Sequence, residues 1–315
     1  MPMLMRANPF GLPAGVHVLE RGWLSSNNVL FLGAEETALV DSGYVTHAPQ
    51  TLRLVDQVLR EQGRAPQLDR LINTHLHSDH CGGNAALQSV YHCRTTIPHA
   101  EADKVARWDE DTLSYKATGQ QCPRFAFDDT LQDGDRLQLG DLEWIAYAAP
   151  GHDPHALILH CAQEGLLMSA DALWQHGFGV IFPELEGASG FAEERATLAL
   201  IAKLDVRLVI PGHGAPFTDV QQALERAGSR LDYLAADPVR NAQNSVKVML
   251  KFLLLERQSI ALSEVPAMMA GIPLLAQCNR RYFQLSDAAL AEWATAQLIR
   301  AGAAASDGVH LLNAG

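Results

Sequence analysis

One short segment of this 315-residue chain, Thr74-His75-Leu76-His77-Ser78-Asp79-His80, restricts what the chain can fold into more than any other. Its four potential metal ligands are His75, His77, Asp79 and His80. The segment continues from residues 68 to 73, a compact apolar run that predicts a buried strand. Alternation along a strand sends His75 and His77 to the same side, where they can share one metal ion, while Asp79 and His80 can reach a second.

Three other predicted strands also end at a residue type that binds metals. His152, in Pro150-Gly151-His152, follows residues 142–148. Asp171, in Ser169-Ala170-Asp171, follows residues 165–168, and His213, in Pro211-Gly212-His213-Gly214, follows residues 206–210. Each motif alone is typical of an ordinary turn, but in this order after the first cluster they indicate one shared site.

This series of motifs resembles the metallo-β-lactamase superfamily over about residues 16–217, and is closest to the branch of glyoxalase II and the winged-helix-bearing hydrolases. The resemblance implies an α/β fold, a four-layer αββα sandwich with a smaller, mainly helical C-terminal domain. We place the catalytic domain at residues 1–236. Residues 237–315 form the predicted helical, winged-helix-like domain, since their pattern is three helices followed by a hairpin-like turn at Asp307-Gly308.

The resemblance also implies roles for individual residues. One metal ion would be held by His75, His77 and His152, the other by Asp79, His80 and His213, with Asp171 bridging both. We expect two Zn²⁺ per chain, with iron or manganese as alternatives. Asp79 and Asp171 are the catalytic candidates, because paired ions lower the pKa of a shared water and Asp79 can take up its proton.

Further residues are expected around these ligands. Asp41, in Val40-Asp41-Ser42-Gly43, matches a family position that supports the ligands, and His155 is a candidate for orienting one of them. The candidates for contacting substrate are Trp174, His176, Phe178 and Phe182. They follow Asp171, where family members place substrate-facing loops, although aromatic residues there are equally compatible with core packing.

The leading interpretation is a dinuclear hydrolase of small esters, thioesters or lactones. An aspartate at position 171 favours this over β-lactam hydrolysis, since one branch of antibiotic-hydrolysing members has a cysteine in its second site. Two alternatives remain open. One is an iron-dependent persulfide dioxygenase, and the other is an endoribonuclease or phosphodiesterase. The basic and aromatic residues with which glyoxalase II binds glutathione have no secure match in this sequence.

Composition narrows the partners and the compartment. A net charge of −12 argues against nucleic acid and anionic membranes as partners, and from Asp237 onward the balance is only +1. Five cysteines without a CxxC pair are typical of a reducing cytoplasm, and the N-terminus does not resemble a signal peptide. We therefore expect a cytoplasmic enzyme of a small-molecule substrate. Alanine-rich amphipathic helices in the tail are compatible with a homodimer.

Overall fold

A computed structural model describes residues 10–314 of the chain. Most of the N-terminal segment considered as a signal peptide, and the first residues of the predicted catalytic domain, lie outside the described residues. Within residues 10–314, no helix is long and apolar enough to cross a membrane.

The first sheet has six strands, ordered along the sheet as they are along the chain. They are β1 Val16–Leu19, β2 Asn28–Leu32, β3 Thr37–Val40, β4 Arg70–Ile72, β5 Arg94–Pro98 and β6 Asp129–Leu131. The first two pairings are antiparallel and the remaining three are parallel. Parallel pairing needs crossover connections, which here contain helices.

The second sheet has five strands in the order β11-β10-β9-β8-β7. They are β7 Arg136–Leu139, β8 Leu142–Ala148, β9 Leu157–Cys161, β10 Leu166–Ala170 and β11 Leu208–Pro211. Only β10 and β11 of this sheet pair in parallel, and a helix, Phe191–Ile201, lies between them in the chain. The strand ends that carry Asp171 and His213 are therefore neighbours at one edge.

The helices that follow these strands are mostly short. In the first part of the chain they are α1 Ala48–Glu61, α2 Ser78–Cys81, α3 Asn84–Tyr91, α4 Ala102–Arg107 and α5 Tyr115–Thr118. In the second part they are α6 Phe182–Glu186, α7 Phe191–Ile201 and α8 Val220–Ala235. The C-terminal region has α9 Pro238–Arg257, α10 Val265–Ala270, α11 Pro273–Cys278 and α12 Asp287–Arg300.

Strand alternation explains the layering. In β2, Val29 and Phe31 face the second sheet and join a core that includes Trp144, while Leu30 packs with Leu59 of α1 on the opposite face. The outer face of the second sheet packs likewise against α7 and α8. Both sheets are thus buried on both faces, and the predicted αββα sandwich is confirmed.

The C-terminal region builds a further core around α9. Its strands, β12 Ser259–Ala261, β13 Ala304–Ser306 and β14 His310–Asn313, form a small antiparallel sheet in the order β12-β14-β13. Val246 and Leu250 of α9 pack there with Leu290, Leu298 and residues of the sheet. Val180 and Leu185 from the preceding region share this core. The region is mainly helical, as predicted, and the boundary at residue 236/237 stays a prediction.

Candidate metal centre

The candidate ligands lie on loops that follow strands of both sheets and on the short helix α2, and hydrogen bonds between these segments hold them together. Leu157 N donates to Thr74 O at 2.9 Å, joining the segment after β4 to the second sheet. The Asn27 side chain donates to Pro211 O at 2.9 Å and to Gly214 O at 2.7 Å, on either side of His213. The edge where these strands end is therefore cross-linked before any ligand binds.

The first group is made of three imidazoles, those of His75, His77 and His152, and these residues could hold a metal ion. The Nδ1 atom of His77 lies 3.1 Å from His75 Nε2 and 2.8 Å from His152 Nε2. Burial lowers the pKa of all three, well below the usual value for His75 and to about 4 for His152. They are therefore neutral near pH 7, which is the form that binds metals.

The ring nitrogens that face away from this cluster have oxygen neighbours. His152 Nδ1 donates to Val180 O at 2.5 Å, and His75 Nδ1 lies 3.2 Å from Thr74 Oγ1. His77 Nε2 lies 3.6 Å from a carboxylate oxygen of Asp153. Oxygen partners of this kind fix the orientation of ligating imidazoles. Asp153 was not predicted from the sequence to support a ligand, but it lies beside His77, where it can do so.

The second group combines two imidazoles with two carboxylates. Its members are Asp79, His80, Asp171 and His213. His213 Nε2 lies 3.1 Å from Asp79 Oδ2 and 3.8 Å from Asp171 Oδ2. His80 Nε2 lies 3.4 Å from Asp171 Oδ1 and, among the described residues, is buried with no hydrogen-bond partner. Two carboxylates and an orphaned nitrogen in a dry site fit a bound cation.

Asp171 lies between the two groups. Its Oδ2 atom is 3.4 Å from His152 Nε2 and 3.8 Å from His213 Nε2, and its Oδ1 atom is 3.4 Å from His80 Nε2, so the carboxylate lies against histidines of both groups. Trp174 Nε1 also donates to Oδ1 at 3.2 Å. A Cβ atom on Gly212 would lie 2.2 Å from this Oδ1, so only glycine at position 212 leaves room for the carboxylate.

Asp41 contacts His80 at Nδ1, the ring nitrogen that faces away from Asp171. It accepts hydrogen bonds from Thr74 N at 2.9 Å, from Thr74 Oγ1 at 2.8 Å and from His80 Nδ1 at 2.8 Å. Burial lowers the pKa of His80, but the charges of Asp171 and Asp41 outweigh that effect and raise it well above its usual value. The site therefore attracts positive charge, as a metal-binding site must.

The pocket above these groups brings together most of the predicted substrate residues. Its lining includes Trp174, Phe178 and Phe182. His176 is exposed and lies outside this lining, because the turn closed by Trp174 N and Gly177 O places it on the surface. The His155 ring hydrogen-bonds Glu101, and no hydrogen bond joins it to a candidate ligand among residues 10–314.

The pocket also contains residues that the sequence did not point to. These are Trp23, Thr118, Gln120, Gly179, Val180, Arg230, Asn244, Val248 and Phe252. Trp23 is 52% exposed, and its ring lies parallel to that of His213 with centroids 5.5 Å apart. The spacing of Asn244, Val248 and Phe252 at i, i+4 and i+8 was the one available signal, since it places them on one face of α9.

The chain belongs to the metallo-beta-lactamase superfamily, whose family model matches residues 21–213. This confirms the predicted family.

Two enzymes illustrate the similarity of this chain to other proteins in sequence. One is the hydroxyacylglutathione hydrolase of Rhodopseudomonas palustris (strain HaA2), 30% identical over 135 residues. That match covers 43% of this chain and 44% of the relative, so the chain spans about half the length of this hydrolase. The other is the human acyl-coenzyme A thioesterase MBLAC2, 27% identical over 220 residues, with 62% of this chain and 76% of the relative covered.

Solved structures show the same fold. A metallo-beta-lactamase family protein from Thermus thermophilus has a TM-score of 0.56 at 20% identity, covering 95% of this chain and 98% of that one. The B3 metallo-beta-lactamase BLEG-1 has a TM-score of 0.54 at 22% identity, covering 67% and 96%. The first of these likenesses extends through the C-terminal region.

Proposed function

We propose that this protein is a dinuclear metal-dependent hydrolase whose substrates are small thioesters. The observation that carries the proposal is the position of Asp171, whose carboxylate lies 3.4 Å from a histidine of each candidate metal group. The names of the two relatives supply the substrate class, since hydroxyacylglutathione and acyl-coenzyme A are both thioesters. Esters and lactones share the acyl chemistry and are secondary candidates.

Zinc is the proposed metal, because five imidazoles and two carboxylates form the donor set that Zn²⁺ prefers. His75, His77 and His152 would hold one ion and Asp79, His80 and His213 the other, with Asp171 shared. Two divalent ions there would polarise a carbonyl oxygen and lower the pKa of a water molecule.

The residues of the chain then contribute positioning and proton transfer. The Asp79 side chain is 15% exposed, against 6% for Asp171, so Asp79 is the more accessible of the two carboxylates that line the pocket. One Asp79 oxygen is bound to His213, and the other is placed to take the proton of the attacking water. Trp23, Trp174 and Phe182 line the same pocket and would exclude bulk water from the reacting centre.

The finer features of the molecule are also proposals. The core around α9, with the small sheet β12-β14-β13, supports a winged-helix-like domain beginning near residue 237. All five cysteines are free, which agrees with a reducing, cytoplasmic environment. We also retain a homodimer as the proposed assembly.

Metal content and turnover test the proposal together. We expect about two zinc ions per chain by mass spectrometry, and hydrolysis of a thioester in preference to a lactone, a phosphodiester or RNA. Asp171→Ala should lower both metal content and turnover, whereas Asp232→Asn, at an exposed carboxylate, should change neither. One iron per chain with oxygen consumption on a persulfide would instead establish a dioxygenase, and cleavage of RNA a nuclease.

A further inference from the structure

Arg230 of α8 is a cation on the pocket wall without a counter-charge. No carboxylate lies within 4.0 Å of its guanidinium among the described residues, whereas Arg226 of the same helix and Arg195 of α7 are each held in an ion pair. It is partly buried, and burial lowers its pKa. Its single hydrogen bond among residues 10–314 runs from Nη2 to Asn244 Oδ1 at 3.3 Å, and Nε is buried with no partner.

The guanidinium is also held in place. The Arg230 stem packs on Gly177, where an added Cβ atom would lie 3.0 Å from Arg230 Cδ. The guanidinium carbon lies 5.6 Å from the centroid of the Phe178 ring, a cation–π distance. A desolvated charge that is fixed but unpaired is costly to a protein unless a ligand supplies its partner.

Neighbouring groups add to the positive potential. Asn244 uses its carbonyl oxygen to accept from Arg230, so its amide Nδ2 group remains as a donor in the pocket lining. Lys247, one turn further along α9, has no ion pair or hydrogen bond among the described residues. Burial lowers the pKa of Lys247, and the nearby charge of Arg230 lowers it further.

Beyond this polar end the wall is apolar. Val248 and Phe252 follow Asn244 on the same face of α9, and from Asn244 to Phe252 the helix rises by about 12 Å. The wall therefore has a cationic end and an apolar end, both in the pocket that contains Asp79 and Asp171.

We propose that Arg230, with Asn244, forms an anion-binding subsite, and that the substrate is a thioester bearing a carboxylate or phosphate group. This inference rests on the proposed thioester hydrolysis and specifies its substrate class. An anion would accept charge-assisted hydrogen bonds from the guanidinium and the Asn244 amide, while the apolar part of the substrate lies along Val248 and Phe252.

The test compares small thioesters with and without an anionic group. Butyryl thioesters of 3-mercaptopropionate and of 2-mercaptoethyl phosphate carry the anion on the thiol, the succinyl thioester of N-acetylcysteamine carries it on the acyl group, and the butyryl thioester of N-acetylcysteamine is neutral. We expect kcat/KM for at least one anionic thioester to exceed that for the neutral one by on the order of 10- to 100-fold. The preferred thioester identifies the anion and its position.

Variants at position 230 connect this preference to the guanidinium. Arg230→Met should reduce the anionic-to-neutral ratio of kcat/KM to near one, and Arg230→Lys should keep part of it. Arg195→Met, which removes an exposed guanidinium of α7 that is paired with Asp232, should leave the ratio unchanged. All three variants should have the metal content and the thermal midpoint of the unsubstituted protein. A ratio that Arg230→Met leaves intact would overturn the subsite.

A binding measurement separates failure of the subsite from failure of the proposed function. Non-hydrolysable thioethers, S-butyl-3-mercaptopropionate and its neutral amide, can be titrated against the fluorescence of Trp23 and Trp174, which line the pocket. One outcome is that no thioester is hydrolysed, while the anionic thioether binds more tightly than its neutral amide and loses that advantage in Arg230→Met. In that case the subsite stands and the proposed thioester hydrolysis is wrong. Turnover without any anion preference gives the opposite result and rejects the subsite.

Discussion

The two walls of the pocket are built in different ways. On the metal side, His75, His80 and Asp171 are buried and follow the ends of strands, and each contacts other buried polar groups. On the helical side, α8 contributes Arg230, which has one hydrogen bond among the described residues, and α9 contributes the apolar Val248, which is 42% exposed. Under the proposed function, the first wall would fix the geometry of the reacting centre, and the second, which can vary without disturbing it, would set which substrate fits.

Removing the metal ions should have the largest effect, because the ions would bind on the metal side of the pocket, which the sandwich holds rigid. We expect a chelator to abolish thioester turnover and to lower the thermal midpoint, since each bound ion stabilises the folded state. At an ion concentration 1,000-fold above its Kd, that stabilisation is about 4 kcal/mol. Calorimetry and activity after chelation, with readdition of zinc as the control, measure both. A midpoint unchanged by chelation would mean that the two groups bind no ion.

Gly179→Ala should be next in size, since it moves one ligand without removing a donor. A Cβ atom at this position would lie 2.3 Å from His152 Nδ1, so the imidazole must shift. A displacement of about 1 Å at a catalytic centre costs about 10²-fold in rate. Gly228→Ala on α8 is the matched control. Nothing lies within 4 Å of its added Cβ atom, and it should raise stability by about 0.5–1 kcal/mol with turnover unchanged.

Asp41→Asn should have a smaller effect on the same wall, because Asp41 acts through His80. Loss of such a partner typically reduces metal affinity or activity about 10- to 100-fold. We expect weaker zinc binding in a competition titration. The thermal midpoint of the metal-free protein should change little. Asp56→Asn, at a partly buried carboxylate bound to Tyr91 rather than to a histidine, serves as the control. Equal zinc affinity in both variants would remove the supporting role of Asp41.

The contrast between the walls also explains what the sequence could predict. The ligands on the metal side are local motifs, in which a polar residue follows an apolar run, so their positions were evident without a structure. The sandwich followed from the same motifs through the family resemblance. The apolar residues of α1, α8 and α9 recur at helical spacing, which a sequence pattern can detect.

Features that depend on tertiary contacts were not predictable in this way. The strand Arg94–Pro98 contains two threonines and a proline, and its buried positions become clear only when it pairs with β4 and β6. Arg230 gives no signal in the sequence, because an arginine on a helix is usually solvated. Its significance arises from Phe178 and Asn244, which are distant in the chain and adjacent in the fold.

Val248→Ala should have the smallest effect, and it tests whether the helical wall discriminates between substrates. Because Val248 is partly exposed, truncating its side chain should cost about 1 kcal/mol of contact with a long acyl chain, or roughly 5-fold in KM. A short acyl thioester should be less affected, and kcat should change little, because the metal side is untouched. Val309→Ala, at an exposed valine outside the pocket lining, should alter neither KM. If Val248→Ala instead lowered kcat for both chain lengths, the two walls would be coupled, and the division between chemistry and selectivity would fail.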